Sequence, residues 1–480
     1  MTRIPTGLFS RLALAIAATA LLSAASASPA SATAYFLRAD GDDAAVGTTR
    51  ATAWRTLDRL NATDLEPGDL VLLEGRAVFP GTLVIAPEDA GTRRRPVKIR
   101  SFGGGRATID AGTGRGIFVN DAGGVSIEGL DVVGAGRANG NRADGIGFYS
   151  DVAVPSTRFE YVRVKNIDVS GFGGVGVSLG GYATDAGGRP VKTGFTDVRF
   201  WRVNAHDNAD AGILSYGSYG TDVGGWAHAN VVVAHCTSHS NPGIPGKNGN
   251  SGNGIVLADV DGARIGRSLA WNNGLQNDYP SGPIGIWTWD SNRVVIEGNE
   301  AWGNGSRTHD GGGFDLDGGA TNCVLRRNVS HDDAGSGFLV YQFGGARPMH
   351  DNLVEDNVST NDGRTNGGGL VVGGGAVRTT FARNMVELGP RASGAPTGDG
   401  PYGIHVVRDG ATNVDTTFAD NVIATRDGVA LVVVPEPARQ TRLSFTGNTY
   451  DTGGAAVSIV WGDETYASVE AWSAATGQEP

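Results

Sequence analysis

The sequence predicts an all-β, single-domain parallel solenoid of about 12 coils, closed at each end by a short helical cap. Three observations carry this. A glycine leading a short alternating apolar segment recurs at Gly116, Gly145, Gly174, Gly212, Gly254, Gly285, Gly313, Gly337, Gly369, Gly403, Gly428 and Gly454, at intervals of 24 to 42 residues. Asn299, Asn328, Asn357, Asn384, Asn421 and Asn448 form a second column, with most gaps of 27 to 29. A third column, His206, His239, Trp271, Trp302, His331 and Thr360, has gaps of 29 to 33.

Short segments with period-two alternation, joined by Gly, Asn and Asp turns, read as strands. One coil cannot bury its apolar face alone, so coils stacked at about 4.8 Å share a continuous core. Asparagine suits the repeated corner because it tolerates left-handed backbone and its amide can bond to equivalents above and below. Propeller blades of about 40–45 residues fit the short intervals badly. Helical repeats are excluded because nothing between the glycines has a 3.6 period.

Composition narrows the class. Glycine is 76 of 480 residues without a G-X-Y period, which excludes collagen. A hydrophobic content of 40% excludes a disordered chain. The balance of 39 basic against 50 acidic residues argues against a nucleic-acid partner. Cys236 and Cys323 belong to units three coils apart, about 14 Å, beyond disulfide reach. Both are expected to be reduced and buried.

In chain order, Arg3 and Arg11 flank the start of an apolar run, Leu12–Leu22, and Ala-x-Ala patterns come after it. This reads as a signal peptide over residues 1–34, cleaved to release a secreted, extracellular protein with no membrane span. Residues 35–100 form the N-terminal cap and first strands, with a short amphipathic helix over Ala53–Asn61. Residues 101–462 form the β-helix. Residues 463–480 form the C-terminal cap, laying Tyr466, Val469 and Trp472 over the last coil.

Strand phase selects the site. With the glycine at 0, positions +1 and +3 face the core: Ile255/Leu257, Ile286/Thr288, Phe314/Leu316, Phe338/Val340, Leu370/Val372 and Ile404/Val406. Positions +2 and +4 face outward and include Trp287/Trp289, Asp315/Asp317, Leu339/Tyr341 and His405/Val407. Neighbouring coils therefore gather Trp287, Trp289, Asp315, Asp317 and Tyr341 into one solvent-facing patch. Aromatic faces stack on pyranose rings, while carboxylates hold hydroxyls or perform acid/base work. The blander reading leaves the carboxylates merely solvated and the indoles under a loop. Two long insertions, Ser240–Asn253 and Asn272–Pro283, lead into strands at or beside Trp287 and are expected to wall a groove.

The entry segment YFLRADGDDAAVGTTRATAWRTLDRL, the stretch PVKIRSFGGGRATID and the glycine/asparagine units resemble the secreted right-handed parallel β-helix proteins of the pectate-lyase-like superfamily, from roughly Tyr35 to the end. The resemblance implies a right-handed coil. It leaves the chemistry open, because that superfamily holds lyases, hydrolases, epimerases, esterases and non-catalytic tailspike or adhesin parts.

Three functional readings fit these residues. The first is a glycoside hydrolase needing no cofactor, acting on a polysaccharide or oligosaccharide as a monomer. Asp315 and Asp317 are its catalytic pair, with Asp310 in support. Residues two apart on a strand have Cα atoms about 6.6–6.8 Å apart, which admits the carboxyl spacings of inverting and of retaining enzymes. Trp287, Trp289, Tyr341, Gln342, His405 and Arg307 would bind substrate, His405 at a distal subsite. The second reading is a calcium-dependent polysaccharide lyase acting on a uronate polymer. The run DGGGFDLD is similar to the calcium motif of one pectate-lyase family, which implies Asp310, Asp315, Asp332 and Asp333 as ligands. That family's lysine base is replaced here by Ser336, and Lys98, Lys165, Lys192 and Lys247 all lie on other coils. Arg307 or Arg347 would have to serve instead. The third reading is a non-catalytic glycan-binding β-helix. His331 is expected to be structural, and His235 and His239, four apart but not on a helix, are not expected to bind zinc.

Overall fold

The computed structural model describes residues 32–219, 223–391, 393 and 399–479. The signal peptide expected over residues 1–34 lies outside them but for its last three residues. Among the described residues, no helix is long and apolar enough to cross a membrane.

The chain winds into a parallel β-helix with three faces. Among the described residues, the first face holds thirteen parallel strands, from Leu83–Ile85 to Ile459–Trp461, and ends in an antiparallel strand, Glu464–Tyr466. Of the other two faces, one begins at Ala34–Leu37, which pairs with Leu70–Glu74, and the other at Val78–Pro80. The long strands Thr157–Ser170 and Thr193–His206 run round the corner between them. Two details differ from expectation at the C-terminal end. Gly428 sits in a turn at φ 81°, with its strand starting at Ala430 and Val432 opposite Ile404. Gly454 leads no strand; it sits in a turn at φ 91°, and the strand pairing with Ala430–Val434 starts five residues later, at Ile459.

The predicted strand phase holds. Ile286 lies opposite Phe314, which lies opposite Phe338, then Leu370, then Ile404, one coil at a time. All five are fully buried. Phe314 and Phe338 stack with ring centroids 5.2 Å apart. The leading glycines are required by crowding: a Cβ at Gly313 would lie 2.2 Å from Ser330 Oγ, and one at Gly337 2.3 Å from Ser359 Oγ.

The corners are ladders. Both the N–H and the Nδ2 of Asn328 donate to Asn357 Oδ1, at 2.9 and 3.1 Å, and the pattern repeats from Asn299 to Asn448. The left-handed residue, however, is the one before each asparagine. Arg327, Asp356, Arg383 and Asp420 have φ of 54–55°, and Gly298 and Gly447 have φ of 65–66°. The bend and the ladder are thus divided between neighbours. A second ladder, Asn208, Asn241, Asn273, Asn304, Asp333 and Asp362, turns the corner two residues after the aromatic column. The column itself stacks face to face: His206, His239, Trp271, Trp302 and His331 have successive centroids 5.0, 4.2, 4.8 and 5.7 Å apart. With its faces filled by its own members, it is a structural stack, as expected for His331.

At the ends, Thr56 caps a helix over Leu57–Asn61 whose Leu57 and Leu60 are buried. Helix Val469–Thr476 buries Trp472 against Phe445 and Trp461, with centroids 5.3 and 5.7 Å away. The Glu479 carboxylate then accepts both donors of Asn448 and ends the ladder. Cys236 and Cys323 are free and buried.

Candidate active site

The first face carries a cavity of about 760 Å³ over the strands Ile284–Trp289, Gly312–Asp317, Phe338–Tyr341, Gly368–Gly374 and Tyr402–Gly410. Its floor is written in the register. Trp287, Asp315, Leu339, Val371 and His405 lie side by side in successive coils, and Trp289, Asp317, Tyr341 and Val407 form the neighbouring row. These side chains leave the core as the phase requires, yet they do not all reach open solvent. Trp287, Asp315 and His405 are only 5%, 3% and 4% exposed, because long loops stand over them.

Both insertions expected to act as walls do so, contributing Gly249, Asn250, and Tyr279 to Gly282. Lys247 anchors the first through Asp210 at 2.7 Å, and the Gly282 N–H anchors the second on Asp310 Oδ2 at 2.9 Å. Trp287 is fixed by its Nε1, which donates to Asn253 Oδ1 at 3.1 Å. Tyr219 packs edge-on against Trp289 at 4.8 Å, and Phe343 approaches the same indole at 6.1 Å. Behind them Arg347 donates to Val223 O at 2.8 Å and pairs with Asp290 at 3.1 Å, tying two wall loops to a strand end.

Asp310, Asp315 and Asp317 converge in this cavity. Asp310 sits at φ 61°, with Oδ1 3.0 Å from His309 Nδ1 and Oδ2 accepting from Gly282. Asp317 is half-buried at the mouth; burial, with the Asp310 charge adding, pushes its pKa up to about 7. Asp315 lies deeper. Burial first, then the Asp317 and Asp310 charges, hold its pKa well above the carboxylate range. Its Oδ1 has no hydrogen-bond partner among the described residues.

Other expected site residues are placed elsewhere. Arg307 is exposed and does not line the cavity. Gln342 is spent on the turn after its strand, donating to Arg347 O at 2.9 Å and accepting from the Gly319 N–H at 3.1 Å. Asp332 sits on a left-handed corner bonded to His331 and Asn361. Asp333 is buried in the second ladder, accepting from Asn304 and Ser330. Asp310, Asp315, Asp332 and Asp333 therefore do not assemble as a calcium set, because two of them are committed to corners. No group of three or more His, Cys, Asp or Glu among the described residues is arranged to hold a metal.

Tyr219, Tyr279, His309, Phe343 and Asp399 also line the cavity, and strand phase does not point to them. Tyr219 falls in the 42-residue interval between Gly212 and Gly254, the longest of all, and that length is its one signal in the sequence.

The chain matches the model of the right handed beta helix region over residues 153–386, which includes the strands of the carboxyl cluster. That match and the stacked parallel coils agree on the fold, a right-handed parallel β-helix. A lacto-N-biosidase of Bifidobacterium longum subsp. longum is 28% identical over 145 residues, 29% of this chain. The match spans only 8% of that relative's length. The solved GH136 lacto-N-biosidase of Eubacterium ramulus superposes with a TM-score of 0.58 at 15% identity, over 88% of this chain and 68% of that one. The Dettilon tailspike protein reaches a TM-score of 0.50 at 15% identity, covering 88% and 69%. At such identities the solved structures speak for the fold alone.

Proposed function

We propose that the protein is an exported, monomeric glycoside hydrolase acting on an oligosaccharide or polysaccharide. The observation that carries this is the meeting of Asp310, Asp315 and Asp317 with Trp287, Trp289, Tyr219 and Tyr341 in one cavity, with Asp317 poised near neutrality. Asp317, protonated below about pH 7, donates to the glycosidic oxygen as the C–O bond breaks. Asp310, held by the Gly282 N–H and near His309, is the accessible partner that attacks the anomeric carbon or takes a proton from the attacking water. This shifts the pair from Asp315/Asp317 to Asp310/Asp317, since Asp315 lies beneath both. The reading needs no cofactor, so activity should survive a chelator.

The relatives' name points to lacto-N-biosides as the first substrates to try. With p-nitrophenyl lacto-N-bioside and a panel of polysaccharides, the wild type should release reducing sugar. Asp317→Asn should lower kcat by about 10²–10⁴ with an unchanged circular dichroism spectrum. Wild-type turnover that persists in Asp317→Asn would overturn the assignment. An unsaturated product absorbing in the near ultraviolet would replace hydrolysis by elimination.

A further inference from the structure

The hydrolase reading leaves Asp315 without a task. Resting on that reading, we infer that Asp315 is a specificity-determining residue, a neutral carboxyl at the cavity floor that hydrogen-bonds an oxygen of the bound sugar. It lies between Trp287, whose Nε1 is committed to Asn253, on one neighbouring coil and Leu339, which has no polar side-chain atom, on the other. The charged groups acting on it are the acidic Asp317 and Asp310. An ionised carboxylate in such a place would lack a counter-charge, and its Oδ1 a donor, a costly state that proteins avoid by retaining the proton. Burial and the two neighbouring charges act in that same direction.

A protonated carboxyl has one O–H to give and an acceptor oxygen besides. Buried polar side-chain atoms rarely go without a partner, and Asp315 Oδ1 has none among the described residues. The residue lines the cavity, so the missing partner is a ligand group. Its neighbour two residues on differs in kind. Asp317 accepts the Gly318 backbone N–H, which supports its charged form and lets it cycle, whereas Asp315 has no such support. A floor that must hydrogen-bond a sugar oxygen discriminates strongly against analogues lacking that oxygen, because the buried group is then left unpaired.

The test compares Asp315→Asn, which keeps a donor and the shape, with Asp315→Leu, which keeps only the bulk. Both are made in the full chain, with p-nitrophenyl lacto-N-bioside as substrate and the wild type and Asp317→Asn alongside; melting temperature reports folding. Calorimetric binding of the corresponding free disaccharide is measured in the Asp317→Asn background. Asp315→Leu should raise KM and weaken binding about tenfold or more, and Asp315→Asn should lose less of both than Asp315→Leu does. Asp315→Asn as inactive as Asp317→Asn would overturn the inference by making Asp315 a catalytic carboxyl. Wild-type affinity in Asp315→Leu would overturn it by removing the contact. A wild type that neither binds nor cleaves this glycan or any in the panel would bring down the hydrolase reading together with it.

Discussion

Asp315 and Asp317 leave the same strand in the same direction, two residues apart, and end in different chemistry. Asp315 is roofed by loops and flanked by apolar groups, while Asp317 stands half-buried near the mouth. Period-two alternation makes their shared direction legible in the sequence. Their depths are not legible there, since Tyr219 and Phe343 arrive from other coils and no strand pattern encodes that approach. The pH dependence belongs at this scale. A raised carboxyl pKa means that Asp317 is the proton donor below about 7 and loses that capacity above it. The kcat/KM profile should therefore fall on the alkaline side with an apparent pKa near 7, and Asp315→Asn should leave that limb in place.

Within the corner elements, an asparagine is both donor and acceptor, so a column of identical residues can satisfy every member. The column at Asn299 and its successors is visible in the sequence for that reason. The second column is masked because its last two members are aspartates, and an aspartate is a poorer copy of the amide. Asp333 and Asp362 are buried and stacked, Asp333 held well above the carboxylate range and Asp362 at about 7 by burial, with mutual repulsion adding at Asp333. Their folded pKa values exceed the unfolded ones, so the stability they contribute is complete at low pH and is lost as pH rises toward and through 7. Asp362→Asn should raise the melting temperature at pH 8, at about 2–4 °C per kcal/mol, and the gain should shrink at pH 5. An equal gain at both pH values would mean that ionisation is not the cause.

Over the whole molecule, each coil exchanges hydrogen bonds mainly with the coils before and after it, so the two ends must be finished by something that is not a coil. At the C-terminal end Glu479 does this, accepting from Asn448 N and Nδ2 and from the Tyr450 hydroxyl. Glu479→Ala should leave those donors to water and loosen the last coil by about 1–2 kcal/mol. Hydrogen exchange would then quicken over residues 444–451 while residues 312–317 keep their protection. The glycine intervals make the solenoid itself legible. They misplace its last strand because the turn at Gly454 reproduces the small-residue signal without the alternation that should come after it. The asparagine ladder also has a modular consequence. Asn299, Asn328 and Asn357 are spaced by 29 residues each, so excising residues 300–328 as a cassette would set Asn299 on Asn357 with every corner bond remade. The shortened cylinder would keep its frame while losing Asp310, Asp315 and Asp317 at a stroke, which makes length and chemistry separately inheritable in this protein.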